Sequence, residues 1–178
     1  MKKEEIIAAT EKIFDDFTSQ CNNTAEMFFF EKPATKWSIA ENVQHLIVSA
    51  NTTTLAFSLP FFLVRLVGGK PNRTSKTYEE LVAKYKKKLA EGGAASGRFI
   101  PKPIKINFGK EKLMANWNKA TAKYIAALQK NRTGNDLDNY LVKHPLLGRI
   151  TLRELCYFTI YHTQHHLTII SSISPFKG

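Results

Sequence analysis

Cysteine is scarce in this chain: there are two in 178 residues, Cys21 and Cys156, far apart and with no C-x-x-C pairing. That excludes a disulfide framework and points to two buried, reduced side chains of a cytoplasmic protein. Also missing are a G-x-G-x-x-G turn, a P-loop, any nucleophile motif and any internal repeat. Neither phosphate cradling by a glycine-rich loop nor a repeat array is therefore indicated. No stretch reads as an unbroken membrane span. The nearest, Leu46 to Val64, carries no formal charge and meets the minimum length, but Ser49, Asn51, Thr52, Thr53 and Thr54 interrupt it. A buried bundle helix is expected there instead. The opening Met1-Lys2-Lys3-Glu4-Glu5 leads straight into an amphipathic segment containing acids, which is unlike a signal peptide.

What is present describes a globular chain, 43% hydrophobic and 23% charged, with length for one well-buried core. A single domain over residues 1–178 is the expectation. Apolar spacing predicts a first helix from about Lys3 to Gln20, with Ile6, Ile13 and Phe17 on one stripe and Ile7 and Phe14 beside it. Ser38 and Glu41 form an S-x-x-E capping box that opens a second helix, ending or bending near Pro60. A third runs from about Tyr78 to Leu89, with Tyr78, Leu81, Val82, Tyr85 and Leu89 inward. A fourth spans about Glu111 to Lys130, with Met114, Trp117, Thr121, Tyr124 and Leu128 inward. Thr151 and Glu154 cap a last helix that reaches about Ser172. Between the third and fourth helices, glycines and prolines from Glu91 to Pro103 forbid regular helix; a segment this long is either a functional rim or a plain connection.

Basic residues outnumber acidic ones 26 to 15, a net charge of +11. The densest run, Lys84, Lys86, Lys87 and Lys88, decorates the outer face of the third helix. Without a helix-turn-helix pattern or aromatics interleaved with arginine, a solvated lysine face accounts for it better than nucleic-acid binding. The excess charge could equally draw an anionic small molecule.

Three of the five histidines crowd into Tyr161-His162-Thr163-Gln164-His165-His166. His162 and His166 are four residues apart, so on a helix they stack on one face at a spacing that suits a shared metal ion. A three-ligand open site needs one more donor. His144 precedes Pro145, which biases it away from helix and into a loop. His45 lies on a helical face with Glu41, Asn42, Ser49 and Thr52 and is the better third ligand. Cys156, six residues before His162, falls on another side of its helix.

The segment His144-Pro145-Leu146-Leu147-Gly148-Arg149-Ile150-Thr151-Leu152-Arg153-Glu154, followed by His162 and His166, resembles the end of a DinB/YfiT-like protein. That superfamily shows H-P-x-x-G-x-[LI]-T-x-x-E before a last helix bearing H-x-x-x-H. Its earlier W-[ST]-x-x-E-x-x-x-H-[LI] pattern is matched by Trp37 to Leu46, in the right order. The resemblance implies an all-α fold, an up-down-down-up four-helix bundle with an additional short helix and a long loop between helices three and four. It implies a divalent metal, zinc or nickel, held by His45, His162 and His166, with Glu41 or Asn42 behind them. Many relatives carry glutamine where this chain has Ile169, and His165 is an extra imidazole that leaves a swap with His166 open.

Three neutral imidazoles leave a metal most of its Lewis acidity, so an open position could bind water or hold a thiol as thiolate. By resemblance, the expected function is a metal-dependent enzyme: a low-molecular-weight-thiol S-transferase or a hydrolase acting on a small-molecule substrate, and a homodimer. The alternatives are a non-catalytic metal-binding or stress-related bundle and, further off, a basic nucleic-acid binder.

Overall fold

The computed structural model describes residues 1–131 and 133–173. Five helices of thirteen residues or more build it: α1 (Lys3–Asn22), α3 (Ile39–Ser58), α5 (Tyr78–Ala90), α6 (Lys110–Asn131) and α8 (Leu152–Ile173). Three short helices lie between them, α2 (Glu26–Phe30), α4 (Phe61–Gly68) and α7 (Asp136–Asn139), where one was expected. The long helices α1, α6, α3 and α8 form a closed ring in which each packs on the next, and α5 lies against α8. Apolar stripes meet inside that ring. Phe14 and Phe17 set their rings against Trp117 at 5.3 and 5.2 Å, and Tyr124 meets Phe14 and Phe57 at 5.6 and 5.4 Å. Edge-on aromatic pairs of this kind add to the area they remove from water.

The helix starts follow from side-chain chemistry. At α3 the Ser38 hydroxyl accepts the Glu41 amide N–H at 3.1 Å while the Glu41 carboxylate accepts the Ser38 N–H at 2.8 Å. Two otherwise unpaired donors are satisfied at once. The apolar run after it is broken at Leu59–Pro60, and α3 and α4 are bent by 114° to one another. No single helix among the described residues is long and apolar enough to cross a membrane.

A wholly helical chain was expected, and the fold departs from that in one place. Leu141–His144 and Gly148–Thr151 pair as an antiparallel hairpin, β1 and β2, with Val142 opposite Ile150 and His144 opposite Gly148. Pro145 does keep His144 out of helix, but its extended backbone ends a strand and does not wander as a loop. Gly148 closes the three-residue connection at φ +73°, a conformation that costs glycine little. The His144 ring locks the turn from inside, its Nδ1 accepting the Leu146 and Leu147 N–H groups at 3.2 Å each. β2 runs directly into α8 through a second capping box, Thr151 with Glu154. Glu154 is fully buried and also takes both arms of the Arg73 guanidinium at 2.6 and 2.8 Å and the Lys76 N–H at 2.7 Å. One carboxylate thus fixes the start of α8 and ties the segment before α5 to it.

Candidate metal centre

Helices α3 and α8 pack on each other, and the polar stripes at their contact face inward. On α8 the stripe is His162 and His166, one turn apart, with Phe158 a turn before them; on α3 it is Asn42, His45 and Ser49. All three histidines are buried, each 5% exposed. Their Nε2 atoms converge: His45 to His162 at 3.0 Å and His166 to His162 at 3.1 Å.

The other ring nitrogens decide what those contacts mean. His45 Nδ1 lies 2.7 Å from the Phe99 carbonyl oxygen, and His166 Nδ1 lies 2.7 Å from Asn42 Oδ1. Neither oxygen can donate, so both Nδ1 atoms must carry the proton, which leaves the Nε2 lone pairs of neutral imidazoles pointing at His162. The Asn42 amide has its orientation set as well, because its Nδ2 donates to the Ser38 carbonyl at 2.8 Å. His162 Nε2 can offer a proton to one neighbour at most, so at least one of the two close contacts pairs lone pair with lone pair. A cation at the common point would satisfy all three. Tetrahedral bonds of ~2.0–2.1 Å to zinc would set the nitrogens about 3.3 Å apart, near the spacing found.

Burial pushes the His45 imidazole below its ordinary value, against the pull of the Phe99 carbonyl, and the nearby His165 adds to the lowering. His162 and His166 are held well below 6.5, again by burial first and then by their imidazole neighbours. All three are therefore neutral at pH 7, the form that binds metal. Aromatic rings complete the walls. Phe158 stacks on His162 at 4.7 Å, and Trp37 lies parallel to His166 at 6.3 Å and against His45 at 5.1 Å.

The residues marked by the sequence fall as follows. His45, His162 and His166 come together as a group that could hold one metal ion. His165 lines the same cavity with its ring 5.4 Å from that of His166 and 6.4 Å from that of Tyr85, outside the group of three. Asn42 touches His166, whereas the Glu41 carboxylate is occupied by its capping box and by Lys32 at 3.1 Å. His144 lines the same cavity with its ring 4.3 Å from Phe158, outside the group of three, and Ile169 lines the wall. The Phe99 carbonyl gave no sequence signal, since any residue supplies one. Phe158, four residues before His162 on α8, was readable from helical spacing.

The three histidines open onto a cavity of about 540 Å³. Its walls include Trp37, Tyr85, Leu89, Val142, Leu155 and Phe158, and the segment carrying Phe99 forms one side, so the stretch between α5 and α6 is a rim of the site. A protein-family model described as the DinB superfamily matches residues 4–170. No curated protein and no solved structure matches the chain.

Proposed function

The chain belongs to the DinB superfamily, and from that membership we propose that it is a metal-dependent enzyme in which His45, His162 and His166 hold one zinc or nickel ion. The observation that carries the reading is the approach of the His45 and His166 Nε2 atoms to within 3.0 and 3.1 Å of His162 Nε2, while carbonyl oxygens engage the opposite nitrogens of the first two rings. Orienting groups of this type fix ring tautomer and raise ligand basicity in metal sites. When bound, such an ion supplies Lewis acidity at its open position, polarising water or favouring the thiolate of an incoming thiol.

The residues around it do the rest. Phe99 and Asn42 hold the His45 and His166 rings, Trp37 and Phe158 limit water, and the cavity admits a small molecule. No Asp or Glu lines the cavity among the described residues. That favours transfer of a low-molecular-weight thiol, which brings its own ionisable proton, over hydrolysis aided by a carboxylate base. The same reading takes residues 1–178 as one cytoplasmic domain with the up-down-down-up order of its family. It includes a homodimer, supported by the exposed Phe62, Leu66 and Val67 of α4.

Metal content tests the centre. About one equivalent of zinc or nickel is expected in the purified protein and almost none in His162→Ala; equally low metal in both would overturn the assignment. A screen of low-molecular-weight thiols with electrophiles then tests the reaction, with turnover expected only in the metal-loaded protein.

A further inference from the structure

The cavity wall has one sign of charge. Lys36, before α3, Arg98, in the turn Gly97–Phe99, and Lys143, on β1, come from three separate segments and all line it. None of the three forms an ion pair among the described residues, where six other cations pair with carboxylates. Of the acids close to them in sequence, Glu41 is already held by Lys32 and the Ser38 N–H, Glu91 by Lys88 and Asp138 by Arg153. Arg98 is also tied to the metal centre through its neighbour. Its guanidinium lies 5.2 Å from the centre of the Phe99 ring, and the Phe99 carbonyl accepts from His45. The three cations are exposed, whereas Leu89, Val142, Leu146 and Leu155, less exposed, give the same cavity an apolar wall.

We infer that the substrate taken by this cavity is a small organic anion, with an apolar body on the apolar wall and a carboxylate or phosphate head read by Arg98, Lys36 and Lys143. The inference rests on the cavity being the substrate site of the proposed enzyme. A cleft with low-dielectric walls and uncompensated cations concentrates anions and strengthens each charge contact relative to open water. The guanidinium presents a planar fork of donors that suits either oxyanion, so the head is named by its charge and not by one acid. A neutral molecule with the same body would gain only the apolar wall.

Hexanoate, hexyl phosphate and 1-hexanol share one body and differ in the head. Their binding can be followed by tryptophan fluorescence, since Trp37 lines the cavity while Trp117 is fully buried. The full chain is titrated before and after chelator treatment, alongside Arg98→Gln and Lys143→Gln, at low and high salt. We expect at least one anion to bind roughly tenfold more tightly than the alcohol in chelated protein, as one to two charge contacts in a cleft allow. R98Q should cut that preference by about fivefold without weakening the alcohol, and salt should erode it. Equal binding of anion and alcohol, no binding of any probe, or a preference untouched by both substitutions would overturn the inference. A preference that appears only on adding zinc and survives R98Q would also overturn it while leaving the metal centre standing. Failure of the metal assay, in turn, leaves the chelated-protein comparison to be decided by itself.

Discussion

Asn42 carries more of the centre than its size suggests. Its Nδ2 is anchored to the Ser38 carbonyl at the first turn of α3, which presents Oδ1 to His166 and so determines which nitrogen of that ring faces inward. Leucine at this position would keep the volume and lose the acceptor. Asn42→Leu is therefore expected to weaken metal binding about 10- to 100-fold, the usual cost of losing an orienting partner. Asn42→Asp, which keeps an acceptor there, should lose less. Competition with a chelator of known affinity measures both, and an unchanged constant for the leucine variant would refute the orienting role. At this scale the histidines and Asn42 were readable from three- and four-residue steps on two helices. The Phe99 carbonyl was not, because a main-chain acceptor leaves no trace in residue type.

Between residues and fold stand the elements, and here α8 depends on what precedes it. Burial alone would raise the Glu154 carboxyl, but the Arg73 guanidinium, the Lys76 and Thr151 N–H groups and the Arg73 charge together hold it below 4.5. A carboxyl depressed by folding stabilises the fold above the unfolded value, and that contribution is lost as pH falls through the folded value. Glu154→Gln should cost about 2 kcal/mol at pH 7, the scale of hydrogen bonds to a buried charge. The gap between the two proteins should narrow below pH 4.5; urea titrations at pH 7 and pH 3.5 measure it, and a constant gap would show that ionisation is not involved. The hairpin before α8 escaped the sequence for a physical reason. Its strands are four residues each, too short for a two-residue alternation to show. The H-P-x-x-G motif contains its turn, with Pro145 starting it and Gly148 in the left-handed region, yet the same letters read equally well as an approach to a helix. The break at Pro60 was visible because proline lacks the N–H a helix needs.

For the whole molecule, the centre joins elements far apart in the chain: α3 supplies one imidazole, α8 two, and the segment between α5 and α6 the Phe99 oxygen. An ion bound only by the folded chain stabilises it by mass action, ~2.7 kcal/mol at a hundredfold excess over the dissociation constant. For a chain of 178 residues that corresponds to a rise in melting temperature of about 5–10 °C. Zinc or nickel should produce it in the wild type and not in His166→Ala. An equal shift in both would place the ion elsewhere. The long helices were foreseeable from apolar stripes and their bundling from the family resemblance, whereas the order of packing depends on contacts that no single helix announces. The bond from His45 to Phe99 adds a last consequence. Under the proposed ligation, that bond makes filling the centre and seating the rim a single equilibrium seen from two ends. A ligand that drew the rim outward would loosen the ion's hold, and an arriving ion would, by the same amount, narrow the door through which the next molecule enters.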